Sequence, residues 1–286
     1  MNRPMTQAGD RLYGAMQELG PLCVGIDPHP GLLRDWGLQD SVDGLERFAM
    51  TVAEAMSGRV ASIKPQVALF ERHGSGGIAV LERVIETMRG SGTEVICDAK
   101  RGDIGSTMAA YADAWLGASS PLAGDFLTVS PYLGFGSLDP AMRQAEQSRK
   151  GTFVLALTSN PEGAEVQHQG VEKSVAKSVV EAAYKENERH PSKHVGPCGL
   201  VVGATVGDSL DTLGIHLSEF NGLILAPGYG AQGASEEDLA QVFRGCRDQV
   251  VVSSSRGVLR HGPDTDALVR EAIACNSRLR QTLHAG

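Results

Sequence analysis

The sequence has no long apolar run, no paired cysteine motif and few aromatic residues, and each shortage excludes a class of protein. No segment approaches the ~18 consecutive apolar residues that span a bilayer, and the polar start over 1–10 lacks the apolar core of a secretory signal. The five cysteines include no CxxC pair and no surrounding His/Cys cluster, so disulfides and a zinc site are not expected. We therefore expect a cytoplasmic protein with no membrane partner and with buried, reduced thiols.

Basic residues are outnumbered by acidic ones. The sequence has 26 lysines and arginines against 34 aspartates and glutamates, which gives a net charge of −8. A field of this sign repels the phosphate backbone, so we expect no nucleic-acid partner. Any anionic ligand must therefore be held by a local cationic pocket. The 42% hydrophobic and 21% charged residues are typical of a folded globular chain, which excludes a disordered one.

The chain does contain a regular alternation of short apolar runs with longer helical patterns, repeated eight times. The apolar runs are continuous, as expected of strands that are buried on both faces of a parallel sheet. The alternation extends over about 250 residues and predicts a (β/α)8 TIM barrel, an α/β fold in one domain. The predicted strands are 21–27, 60–66, 94–101, 126–132, 152–159, 198–205, 222–227 and 249–255.

The predicted domain covers 1–286, and an additional helix over 10–20 is expected to cap the bottom of the barrel. A long helix is predicted over 171–188, and the polar stretch 187–196 is the candidate for a mobile loop. An open doubly wound sheet is the alternative architecture, but no GxGxxG follows the first predicted strand. The barrel is therefore the favoured fold.

Charged residues cluster where the second and third predicted strands end, which is the active-site end of such a barrel. Asp98 and Lys100 lie two residues apart and share one side of the strand, Asp103 follows on the loop, and Lys64 ends the neighbouring strand. Alternating charges keep the lysines protonated and the carboxylates ionised. A fixed, charged lysine suits proton donation rather than Schiff-base chemistry. The alternative is a structural ion-pair network, although buried ion pairs stabilise proteins weakly.

A second group of residues follows the seventh and eighth predicted strands, where barrels of this kind usually bind phosphate. The glycine-rich loop 228–233 contains Gln232, and Arg256 precedes Gly257 after the eighth strand. Glycines allow backbone N–H groups to approach an anion, and an arginine can hold a phosphate through two parallel hydrogen bonds. The alternative is a glycine-rich turn beside a surface arginine. The position and the residue types together favour a phosphate site.

Taken together, these motifs resemble the orotidine 5′-phosphate decarboxylase family, in particular its longer bacterial subgroup. The signature is Asp-Ala-Lys-Arg-Gly-Asp-Ile-Gly-Ser-Thr over 98–107. The resemblance extends along nearly the whole chain, with supporting motifs at 25–28, 64–68, 131–134, 158–161, 202–205, 226–233 and 254–257.

The resemblance implies decarboxylation of orotidine 5′-monophosphate to UMP and CO2, the last step of de novo UMP synthesis, without a metal or an organic cofactor. By matching motif, Lys100 is expected to donate a proton to C6 of the pyrimidine. Asp98 is expected to lie beside the departing carboxylate, while Lys64 orders the array and contacts the ribose. Asp27 is a further expected ribose ligand.

The resemblance also implies a homodimer in which Asp103 and Thr107 enter the site of the neighbouring subunit. Other substrate contacts are expected at the pyrimidine (Ser159 and Asn160) and at the phosphate (Gln232, Arg256 and Gly257). Glu162 lies close to the pyrimidine-reading segment. Because a carboxylate there would repel an anionic substrate, we expect Glu162 to point outward.

Two other functions are weighed against this one. A magnesium-dependent sugar-phosphate decarboxylase or aldolase of the same superfamily also uses Asp-x-Lys-x-x-Asp, but it needs an additional acid where this chain has Lys64. A non-catalytic phosphate-ligand-binding barrel would keep Gln232 and Arg256 but lose Lys64 or Lys100. Both lysines are present, which favours the decarboxylase.

Overall fold

Eight short parallel strands form a closed barrel in which each strand pairs with its neighbours in chain order and β1 pairs with β8. The computed structural model describes residues 7–230 and 233–283. The prediction of a (β/α)8 barrel is confirmed. The strands are Leu22–Ile26 (β1), Ser62–Pro65 (β2), Glu94–Arg101 (β3), Phe126–Val129 (β4), Gly151–Leu157 (β5), Gly196–Val202 (β6), Gly222–Ala226 (β7) and Val250–Ser254 (β8).

Helices surround the strands, and several short ones follow a strand directly. Within the described residues they are Ala8–Leu19 (α1), Pro30–Asp35 (α2), Val42–Met56 (α3), Val67–Glu71 (α4), Gly74–Met88 (α5), Gly105–Leu116 (α6), Asp139–Ser148 (α7), Ala164–Gln167 (α8), Val175–Asn187 (α9), Ser209–Thr212 (α10), Glu236–Val242 (α11), Arg256–Leu259 (α12) and Thr265–Leu283 (α13). None of the helices in these residues has the length and apolar character needed to cross a membrane.

The predicted helix over 171–188 begins later than expected, at Val175. Ser174 has an extended backbone and its hydroxyl accepts a hydrogen bond from the Lys177 N–H at 3.1 Å. This hydroxyl satisfies an N–H group that has no partner within the helix, so Ser174 fixes the start of α9. The preceding residues form turns instead of the first helical turns.

Helix α1 lies across the amino-terminal end of the barrel. Leu12 and Met16 are buried in the same apolar cluster as Phe126 and Phe153, whose rings lie inside the barrel with centroids 5.1 Å apart. An apolar helix face therefore seals the end of the barrel that is opposite the site described below, and removes these aromatic rings from water.

Arg11 fastens α1 to the strands at this closed end. Its guanidinium forms ion pairs with Glu94 at 3.0 Å and with Asp125 at 3.3 Å, and it donates to the carbonyl of Arg149 at 2.8 Å. Burial raises the pKa of Glu94 to about 7; the charge of Asp125 acts in the same direction and Arg11 opposes it. One residue of α1 thereby joins the starts of β3 and β4 to the loop before β5.

The five cysteines are all buried and free of disulfides. Burial raises the pKa of each thiol, to about 11 or 12. The thiols are therefore protonated and shielded from solvent, as the sequence predicts.

The segment 187–196, which the sequence predicts to be a mobile loop, is bonded to neighbouring parts of the barrel at both of its ends. The buried side chain of Asn187 donates to the Cys198 carbonyl at 2.8 Å and accepts from its N–H at 2.9 Å. The carboxylate of Asp10 accepts from the backbone amides of Lys193 at 2.7 Å and Val195 at 3.1 Å. Between these attachments most of the polar side chains are exposed, including Glu188, Arg189 and Ser192.

Candidate active site

A cavity of about 340 Å³ opens at the carboxyl ends of the strands. Its wall combines charged groups with an apolar surface. The predicted site residues that line it are Asp27, Lys64, Asp98, Lys100 and Arg256. These five side chains come from four places in the sequence, in or just after β1, β2, β3 and β8. The barrel brings them together because the carboxyl ends of its parallel strands meet at one rim.

Asp98 stands between two lysines and contacts both. Its Oδ2 lies 2.7 Å from Nζ of Lys64, and its Oδ1 lies 2.6 Å from Nζ of Lys100. The side chains of Lys64 and Asp98 are only 7% and 9% exposed, whereas that of Lys100 is 46% exposed. One ammonium group is therefore enclosed in the wall, and the other is open to a ligand.

The charges in this row stabilise one another. Burial acts to raise the pKa of Asp98, but Lys64 and Lys100 outweigh it and hold that pKa well below its usual range. Burial acts to lower the pKa of Lys64, yet the charges of Asp98 and Asp27 raise it above its ordinary value. At neutral pH the buried lysine is therefore a cation and the central aspartate an anion.

The backbone at Lys100 is unusual and was not foreseen from the sequence. Its φ is 49°, in the left-handed region, and the pairing of β3 with β4 shifts register between Cys97 and Arg101. The N–H of Lys100 donates to Oγ1 of Thr128 at 2.9 Å. The simple alternation of strand side chains is thus broken within the motif, although Asp98 and Lys100 still meet in the cavity.

Asp27 supplies a second carboxylate to the cavity. Its Oδ1 is buried and has no hydrogen-bond partner among the described residues. A buried carboxylate oxygen without a partner is costly, so its position at the cavity wall suits a ligand that brings a hydroxyl donor.

The apolar part of the wall comes from Leu155, Val201 and Leu225, which sequence reasoning missed. They lie within β5, β6 and β7, where an apolar residue on the cavity side looks like any other core residue. A flat apolar surface beside fixed charges excludes water, and this strengthens the electrostatic interactions within the cavity.

The predicted pyrimidine contacts after β5 lie differently from the expectation. Thr158 lines the cavity, whereas Ser159 and Asn160 are exposed and do not line it. The amide of Asn160 donates to Glu162 at 3.0 Å, and the Glu162 carboxylate is fully exposed. Glu162 therefore faces solvent, as expected, and its bond to Asn160 lowers its pKa.

At the predicted phosphate end, Gly228, Tyr229 and the exposed Arg256 line the cavity, while Gln232 lies outside the described residues. Gly228 has a φ of 111°, a left-handed conformation that only glycine adopts readily. Gly257 does not line this cavity. Among the described residues the exposed Arg256 side chain has no hydrogen-bond or ion-pair partner, so its guanidinium is available to an anion.

Asp103 and Thr107 lie outside the cavity of their own chain. Asp103 is half-buried and accepts from the Ile104 N–H at 2.8 Å, while Thr107 is exposed on the first turns of α6. Ile104 is 62% exposed, and the loop after β4 adds Tyr132 at 77% and Leu133 at 54%. The rim beside the two predicted residues is therefore an exposed apolar surface.

A closed parallel barrel with a lysine–carboxylate array beside a glycine-rich loop is the architecture of a (β/α)8 enzyme that acts on an anionic ligand. A profile of the orotidine 5′-phosphate decarboxylase / HUMPS family matches residues 20–271. The chain belongs to this family.

Individual relatives support the same assignment. An orotidine 5′-phosphate decarboxylase from Streptomyces coelicolor is 57% identical over 267 residues, which cover 92% of this chain and 94% of that protein. Another from Salinispora arenicola is 54% identical over 266 residues, with 92% and 94% covered. The solved structure of a Streptomyces avermitilis protein superposes with a TM-score of 0.92 at 52% identity, covering 99% of this chain and 98% of that one.

Proposed function

We propose that this chain is a carboxy-lyase that converts orotidine 5′-monophosphate to UMP and CO2. The observation that carries the proposal is the row Lys64–Asp98–Lys100, in which one ammonium is enclosed and the other faces the cavity. Loss of CO2 leaves negative charge on C6 of the pyrimidine. A fixed cation at that position stabilises the charge, because a preorganised group needs no rearrangement when the charge forms.

Lys100 is the proton donor in this proposal. Its Nζ is open to the cavity and is held by Asp98 at 2.6 Å, so the ammonium has a fixed position without being shut away from a ligand. After CO2 leaves, the ammonium transfers a proton to C6 and becomes an amine. Lys64 is enclosed and positions Asp98, so it acts on the array and on a ribose hydroxyl rather than on C6.

Asp98 places negative charge beside the substrate carboxylate and so disfavours the charged ground state relative to the transition state, in which that charge moves away. The depressed pKa of Asp98 supports this role, since the group stays ionised when a second anion approaches. The apolar surface of Leu155 and Val201 offers the departing CO2 an uncharged environment.

The remaining contacts hold the rest of the nucleotide. Asp27 accepts from a ribose hydroxyl through its unpartnered oxygen, and Arg256 binds the phosphate together with Gln232 and Gly257. Ser159 and Asn160 are proposed to read the pyrimidine from the rim. Binding energy gained at the phosphate is available to order the site around the reacting carbon.

A homodimer is the proposed assembly, with Asp103 and Thr107 completing the neighbouring site. Their position outside their own cavity and the exposed Ile104, Tyr132 and Leu133 beside them support this arrangement.

Mixing Lys100→Ala subunits with Asp103→Ala subunits tests the shared site. A hybrid dimer has one intact site, so activity should return on mixing; two inactive variants that stay inactive after confirmed subunit exchange would refute a shared site.

The magnesium-dependent alternative is less well supported. The described residues contain no group of three or more His, Cys, Asp and Glu side chains that could hold a metal ion. In addition, the enclosed cation of Lys64 would repel Mg²⁺ at the place where an acidic ligand is needed.

The proposal is tested by incubating the full-length protein with orotidine 5′-monophosphate in EDTA and following the ultraviolet absorbance of the substrate. Turnover should persist in EDTA and fall by at least about 100-fold in Lys100→Ala. Lys185→Ala is the matched control, because Lys185 is an exposed lysine of α9 that does not line the cavity. Turnover only after Mg²⁺ is added would refute the metal-free reaction, and equal activity in Lys100→Ala would refute Lys100 as the proton donor.

A further inference from the structure

The side chain of Thr128 connects the backbone of Lys100 to the carboxylate of Asp98. Its side-chain oxygen accepts the N–H of Lys100 at 2.9 Å and donates to Oδ1 of Asp98 at 3.0 Å. This is the same carboxylate oxygen that Nζ of Lys100 approaches at 2.6 Å. Thr128 is 1% exposed and lies in β4, the neighbour of the strand that carries the other two residues.

The direction of these hydrogen bonds follows from the groups involved. The Lys100 amide can only donate and the ionised Asp98 carboxylate can only accept, so the hydroxyl proton of Thr128 must point at Asp98. A threonine hydroxyl is able to do both at once. Its orientation is therefore fixed, and it transmits the position of β4 to the carboxylate and to the backbone of Lys100.

Lys100 has particular need of such a support. Its φ of 49° is a conformation that residues with a side chain rarely adopt, and the β3–β4 ladder is out of register at this point. Because the ladder does not provide its regular bonds here, the Thr128 hydroxyl supplies the partner of the Lys100 N–H. A strained backbone persists only where its surroundings hold it.

We propose that Thr128 is a positioning residue for the decarboxylation, fixing the backbone of Lys100 and the carboxylate of Asp98 relative to each other. This inference rests on the proposed function. Thr128 also lines the cavity, but its hydroxyl bonds go to these two residues, so it acts through them and supplies neither charge nor proton to the substrate. Its loss should therefore reduce kcat, where the position of the ammonium matters, and leave KM nearly unchanged.

The test compares Thr128→Val, which keeps the shape but removes the hydroxyl, with Thr128→Ser, which keeps the hydroxyl. Because a small displacement of a catalytic group can cost about 100-fold in rate, kcat of Thr128→Val should fall by about 30- to 100-fold with KM changed by less than about threefold. Thr128→Ser should recover to within about fivefold of the wild type. Thr128→Ala provides the same loss of hydroxyl if the valine variant does not fold.

Thr152→Val is the matched control, since Thr152 is a buried threonine of the adjacent strand β5 that bonds Met142 and does not line the cavity. Its kcat should match the wild type. A second readout is exchange of the C6 hydrogen of UMP with D2O, which should slow in Thr128→Val by the same factor as kcat.

Several results would overturn the inference. An unchanged kcat in Thr128→Val, a loss confined to KM, or a serine variant as slow as the valine variant would each remove the positioning role. An equal loss in Thr152→Val would show a general effect of buried hydroxyls. An inactive wild-type protein would instead refute the proposed function, so the two failures are distinguishable.

Discussion

Removing Lys64 alone should destabilise the protein more than removing Lys64 and Asp98 together. The two side chains form an ion pair at 2.7 Å and are almost fully shielded from water. In Lys64→Met, the Asp98 carboxylate stays in this enclosed position with one of its two cationic partners gone. Lys64→Met/Asp98→Leu removes both buried charges, and the buried Thr128 hydroxyl then loses Asp98 as its acceptor.

The size of the effect follows from the burial. Breaking a buried ion pair by removing one partner costs about 3–5 kcal/mol in the free energy of unfolding. Lys100 still contacts Asp98 but is half-exposed, so we expect about 3 kcal/mol for Lys64→Met. Replacing a whole buried pair with apolar residues is commonly neutral or stabilising, but here the buried Thr128 hydroxyl loses its acceptor, so we expect the double variant to lose about 1 kcal/mol.

Urea denaturation at pH 7 measures these free energies, and the fluorescence of Trp36 and Trp115 reports unfolding because both indoles are buried. Lys64→Met and the double variant should be catalytically inactive, so stability and activity separate. The reasoning is wrong if the double variant loses as much stability as the two single variants combined. Such additivity would mean that the two charges do not depend on each other in the folded state.

Three further predictions concern the closed end of the barrel and its packing. The pKa of Glu94, about 7, lies above its ordinary 4.5, so the folded state holds the extra proton and stability should decline as pH rises from about 5 to 7. Urea titrations at several pH values should show this slope in the wild type and not in Glu94→Gln; equal slopes would contradict it. Asn187→Ala should lower the free energy of unfolding by about 3 kcal/mol, because it leaves the buried N–H and C=O of Cys198 without their partners; a loss below about 1 kcal/mol would contradict it. All five thiols should react with a thiol reagent only after denaturant is added, and rapid labelling of the native protein would contradict their burial.

The sequence was informative wherever a local pattern controls the structure. The continuous apolar runs predict the strands, and the charged residues at their ends predict a lysine–aspartate array at one rim of the barrel. Lys64 and Asp98 are far apart in the chain, yet their meeting follows from strand order alone. The match is close because a parallel barrel leaves few other places for these residues.

The sequence failed where the structure depends on contacts between distant residues. The left-handed backbone of Lys100 is held by Thr128, a residue of another strand, and no local preference signals it. After β5, Thr158 lines the cavity while Ser159 is exposed, and the pairing with β6 shifts register between Leu155 and Leu157. Because side chains alternate along a strand, a shift of this kind changes which residues face the cavity, and the apolar pattern of the strand does not reveal it.

Closure of the ring between β1 and β8 determines when a growing chain can acquire its function. Leu22 is synthesised 230 residues before its partner Val252. Until then the edge of β1 has no partner on that side, and an open edge can pair with another chain. The cavity also forms late in synthesis, because Asp27 is the first of its lining residues to be made and Arg256 is the last. The cavity is therefore complete only once β8 and Arg256 have been made and β8 has paired with β1.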